Sequence, residues 1–99
     1  MAQEDSSYAD EEYEEVSAAQ AAQEGLRQIV GLTGKDPIGV VSVEPTDDGW
    51  RVGVEVVEDR RIPASSDLLS IYEAELDMAG SLIGYQRRRR YQRGKADGG

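Results

Sequence analysis

A chain of 99 residues, 38 % hydrophobic and 31 % charged, has room for one domain with a thin core. Without Cys or His it has no disulfide, no thiolate metal site and no imidazole for acid–base work. A formal net charge of −9 opposes generic binding to nucleic acid or anionic membranes, because repulsion slows encounter before any contact forms.

The charge is segregated along the chain. The first 24 residues hold acids but no Lys or Arg, whereas the bases gather after residue 85, around Arg87-Arg88-Arg89-Arg90. No apolar run approaches the roughly 18 residues of a membrane span. The N-terminus MAQEDSSYADEEYEE has neither the basic nor the apolar region of a signal peptide, so a cytoplasmic location is expected.

Residues 1–16 read as an acidic, disordered tail in which Tyr8 and Tyr13 stand among Glu, Asp and Ser. A solvated, self-repelling arm is the plain reading, and a partner-binding segment anchored on the tyrosines is the alternative. From Ser17 the pattern becomes helical: Ser17 and Gln20 have capping-box spacing, and Ala18, Ala19, Ala22, Leu26, Ile29 and Val30 recur on one stripe. Small residues at Ala18, Ala22 and Gly25 allow close approach to a sheet. Gly34 suits the left-handed stop.

Four strands follow. Ile38 to Glu44 is a short β-branched run, and Pro45 to Gly49 forms a turn. Trp50 to Glu58 alternates, with Trp50, Val52, Val54 and Val56 on the face that meets the helix. Glu58 to Asp67, broken by Pro63, is a long connection to a third strand, Leu68 to Asp77, and a fourth runs from Ser81 to Arg93. The fold class is therefore α+β, one N-terminal helix on a four-stranded antiparallel sheet. The expected domain spans residues 17–93, followed by a flexible C-terminal tail, 94–99.

The turn Asp77-Met78-Ala79-Gly80 sets the last register. A type I turn closed by a bulge at Gly80 places Leu76 opposite Leu82 and Ala74 opposite Gly84. Tyr72, Ala74, Leu76 and Leu82 then face the helix, while Ile83, Tyr85, Arg87, Arg89 and Tyr91 share the open face with Glu73 and Glu75. A two-residue turn would move Ile83 and Tyr85 to the helix side.

No phosphate loop or nucleophile elbow is present, so catalysis would rest on carboxylates, Tyr and Arg. Glu55, Glu73 and Glu75 are better read as partners of Arg51, Arg87 and Arg89 in a cross-strand ladder than as acid–base groups. Neither a cofactor nor a metal site is expected. The candidate site is a Tyr/Arg surface, Tyr85, Arg87, Arg89 and Tyr91 with Arg61 at its margin, composed of the residue types that dominate protein interfaces. Base stacking by the same residues and pairing within the molecule are the competing readings.

Leu32-Thr33-Gly34, Gly49-Trp50, Val54 to Glu58, Arg61-Ile62-Pro63, Asp67 with Leu68-Leu69, Tyr72-Glu73, Asp77, Gly80, Gly84-Tyr85, Arg87, Arg90-Tyr91 and Arg93-Gly94 together resemble the gas vesicle protein O family over about residues 17–94. Ala74 stands where that family tends to have a β-branched residue. The resemblance implies a non-enzymatic accessory protein for gas vesicle assembly, cytoplasmic or vesicle-associated, whose partners are other gas vesicle proteins. A nucleic-acid-binding regulator of gas vesicle genes is the alternative. The element order is also similar to cystatin-like and PepSY-type domains, but no Q-V-G protease-plugging loop is evident.

Overall fold

The computed structural model describes residues 15–94, so the acidic tail (apart from its last two residues) and nearly all of the C-terminal tail lie outside the described residues. One helix, α1 (Ala18–Thr33), precedes four strands: β1 (Asp36–Pro45), β2 (Gly49–Asp59), β3 (Leu68–Asp77) and β4 (Leu82–Gln92). The strands pair in sequence order as an antiparallel meander, β1-β2-β3-β4, which bears out the α+β expectation.

Local chemistry fixes the helix at both ends. Gln20 N–H donates to Ser17 Oγ at 3.1 Å and Ser17 N–H donates to Gln20 Oε1 at 2.8 Å, the reciprocal pair that satisfies otherwise orphaned donors. Gly34 ends the helix at φ 69°, and its N–H reaches Val30 O at 2.9 Å. The buried stripe is Ala21, Gly25 and Ile29, so the expected stripe is corrected: Ala18 and Ala19 are exposed. Gly25 lies directly over the sheet. A Cβ there would sit 2.6 Å from Val52 Cβ, so the helix can approach this closely only without a side chain.

The alternation in β2 holds as expected, with Val52, Val54 and Val56 fully buried and Trp50 half-buried beside them. Each such valine contributes about 2 kcal/mol relative to exposure. Ala74, Leu76 and Tyr72 of β3 complete the core from the same face. Regularity fails at Glu58, which is skipped between the pairs Val57–Leu69 and Asp59–Leu68. The helix packs across β1, β2 and β3 and barely reaches β4. Nearly all of β4 beyond Leu82 is therefore uncovered, and Ile83 and Tyr85 to Arg90 are exposed.

Candidate functional site

β4 starts from the turn as the sequence predicts. Asp77 Oδ1 accepts from Ala79 N–H and Ser81 N–H, each at 2.9 Å, and Gly80 adopts φ 89°. Leu76 opposes Leu82, also as expected. The next step departs from expectation. Ile83 is bulged, so Gly84 opposes Glu75 and Tyr85, not Gly84, opposes Ala74. A second irregularity leaves Arg88 unpaired between Tyr72–Arg87 and Ile71–Arg89. An extra residue reverses the facing of everything after it.

These two bulges divide the expected Tyr/Arg stripe. Tyr85 and Arg87 turn to the helix side, where the Tyr85 ring lies 6.4 Å from the Tyr72 ring and Arg87 Nη1 lies 3.8 Å from Glu58 Oε2. Arg89 and Tyr91 pair with Ile71 and Leu69 and belong to the open face, where the Arg89 guanidinium stacks 4.9 Å from the Tyr91 ring centre. Arg90, opposite Ser70, returns to the helix side. Each face of the strand thus presents one tyrosine and two arginines, counting Arg88 with Arg89.

The cross-strand ladder exists with a different membership. On the open face Arg51 reaches Glu75 at 2.8 Å, Glu44 at 3.6 Å and Glu73 at 3.9 Å, and Arg88 reaches Glu73 at 3.6 Å. Arg88 carries the ladder onto β4, whereas Arg87 pairs with Glu58 on the other face. Such exposed pairs contribute little stability individually, about 0–1 kcal/mol each. Their effect is to commit Glu44, Glu73 and Glu75 to charge pairing.

Glu58 was not singled out by sequence, yet it is the mostly buried acid on the helix side. Its bulge turns the carboxylate inward, where it accepts from Tyr72 Oη at 3.0 Å and pairs with Lys35 Nζ at 3.4 Å. Burial acts to raise its pKa, but the surrounding hydroxyls of Ser70 and Tyr72 and the Lys35 ammonium outweigh burial and hold it below the ordinary value of 4.5. Ser70 Oγ approaches this carboxylate without a hydrogen bond of ordinary geometry. Burial and the neighbouring Glu58 raise the Tyr72 phenol above its usual range. The broken alternation Val56-Val57-Glu58 was the available signal for this bulge.

The far end of β4 is tied down separately. Asp67, only 2 % exposed, accepts from Arg61 N–H at 2.7 Å and lies 3.4 Å from Arg93 Nε, while Arg93 N–H donates to Asp67 O at 2.7 Å. Arg61 and Arg93 share Asp67 as a partner, while the Arg61 guanidinium lies 3.0 Å from Asp59 at the end of β2. At the opposite end of the strand, a groove of about 650 Å³ runs between α1 and the β3–β4 turn, over Val16, Gln20, Gln28 and Leu82. Arg27 of α1 lines it, but none of the β4 arginines does. No helix among the described residues is long and apolar enough to cross a membrane.

Residues 3–97 match the family described as gas vesicle synthesis protein GvpO. A gas vesicle protein O of Streptomyces sp. (strain CB03234) is 50 % identical over 70 residues, covering 71 % of this chain and 55 % of that protein. The gas vesicle protein O1 of Halobacterium salinarum is 43 % identical over 56 residues, covering 57 % of this chain and 47 % of its own length. The gas vesicle protein O of Haloferax mediterranei is 42 % identical over 57 residues, covering 57 % of this chain and 41 % of that protein. The chain spans about half the length of the curated relatives it matches. No solved structure matches it.

Proposed function

Because the chain belongs to the gas vesicle synthesis protein GvpO family, we propose that it serves gas vesicle formation as a non-enzymatic accessory protein that binds other gas vesicle proteins through β4. The observation that carries this reading is the family match over residues 3–97. What supports the choice of surface is that Tyr85 and Arg87 to Arg90 are exposed on the strand the helix leaves uncovered. Tyr91 is half-buried at its end, where Asp67 joins Arg93 to the backbone of Arg61. The cytoplasm, or the vesicle surface facing it, is the proposed location.

A nucleic-acid role gains nothing from the geometry. Base stacking along a groove wants aromatic and basic side chains on one face, whereas the bulges place a single tyrosine on each. The net charge of −9 adds long-range repulsion.

A pull-down of gas vesicle proteins by the tagged chain tests the proposal. Arg87→Gln combined with Arg89→Glu is expected to abolish capture while circular dichroism stays unchanged. Glutamine is preferred at Arg87 because a carboxylate there would face Glu58. Undiminished capture by this variant would remove β4 from the interface.

A further inference from the structure

We propose that the outer edge of β4 accepts an acidic, extended segment of a partner protein as a fifth strand of the sheet. This rests on the reading that β4 is the binding surface, and specifies how it binds and what chemistry it selects.

The first ground is main-chain chemistry. β4 is the last strand in the sheet order, so the outward N–H and C=O groups of Leu82–Gln92 have no neighbouring strand among the described residues. Such an edge is a template for strand addition unless something blocks it. Proline, the strongest block, is absent from β4, and no acid occurs between Leu82 and Arg93. Helix α1 does not overhang the edge, leaving room on both sides.

The second ground is charge arrangement. A strand added at an edge continues the sheet plane, so its side chains emerge alternately on the two faces. A patch of arginines on one face would meet only half of them. The Arg88 bulge instead gives the helix side Arg87 and Arg90 and the open side Arg88 and Arg89. Carboxylates on either face of an added strand would therefore find a guanidinium, and Tyr85 and Tyr91 supply one ring per face. Among the described residues Arg90 makes no ion pair and Arg88 pairs with Glu73 at 3.6 Å. The same arginines repel a basic strand, and a neutral strand would strip their hydration without replacing it, so the edge is selective.

The opposite edge shows that this arrangement is particular to β4. Register shifts occur at both edges, but β1 also carries Pro37 and Pro45 and the acids Asp36 and Glu44. It is blocked to main-chain pairing and of the wrong sign.

The test titrates a synthetic peptide of alternating Glu and Val with one Tyr into the full chain at low ionic strength, following affinity and residue-resolved amide exchange. Slowed exchange confined to the Gly84–Tyr91 amides, no binding of the Lys/Val counterpart, and about tenfold weaker binding by Arg88→Gln with Arg90→Gln are the expected results. No binding, binding without amide protection, or protection at β1 would overturn the proposal. So would equal protection produced by a single-stranded oligonucleotide or by self-association of the chain without peptide. Since no gas vesicle protein enters this titration, its failure leaves the pull-down reading standing. A failed pull-down beside a successful titration would remove only the vesicle reading.

Discussion

The two edges of this sheet are built by opposite rules. β1 lies under the helix, with Val40 and Val43 packed against the core, and its margin is broken by prolines. β4 sends only Leu82 to the core and carries arginines on both faces. The chain makes one edge part of the fold and leaves the other largely uncovered by the helix. A strand that adds so little to the core can vary in chemistry without endangering the domain.

Several measurements can break or sharpen that contrast. The largest expected effect is on binding: Arg88→Glu with Arg90→Glu abolishes partner capture, whereas Asp36→Lys with Glu44→Lys on β1 leaves it unchanged, as read by quantitative pull-down. Next is packing. Gly25→Ala gains helix propensity but collides with Val52, for a net loss on the order of 1–2 kcal/mol in urea denaturation. Gly84→Ala meets open space and stays within about 0.5 kcal/mol of the parent. Tyr72→Phe, which removes the hydroxyl bond to Glu58, costs about 1–2 kcal/mol by the same measurement.

Acid titration probes the point where the covered and uncovered halves meet. The Glu58 pKa is lowered in the folded chain, so its contribution is fully present above the ordinary 4.5 and is lost as pH falls through the lower folded value. Glu58→Gln is expected to flatten the stability profile in that window. The smallest effect belongs to Arg90→Ala, with stability within about 0.5 kcal/mol of the parent.

What could be read from sequence was governed by periodic pattern. The capping box at Ser17, the stop at Gly34, the Trp50 to Val56 face and the Asp77–Gly80 turn each leave a local chemical signature, and each is where it was expected. The bulges in β4 leave none. Ile83 is flanked by Leu82 and Gly84, and Arg88 lies within identical residues, so a shift of one position changes no pattern while reversing every side chain beyond it. The helix stripe was misplaced because alanines fit both the buried and the exposed sides of the first turn. Glu58 reads as the last residue of a strand, where a charge is ordinary until the neighbouring valines are seen to break the alternation.

The amide of Val16 donates to Met78 O at 3.0 Å, joining the entrance of the helix to the last turn of the sheet. Strand pairing in this meander is between chain neighbours and closes short loops, whereas the Val16–Met78 bond that seats the helix entrance closes a loop around most of the sheet. Loop entropy grows with length, and nonlocal contacts set folding speed. Refolding is therefore expected to assemble the strands before the helix locks onto them. Loosening the Val16 contact would then act chiefly on how long the native state persists once formed.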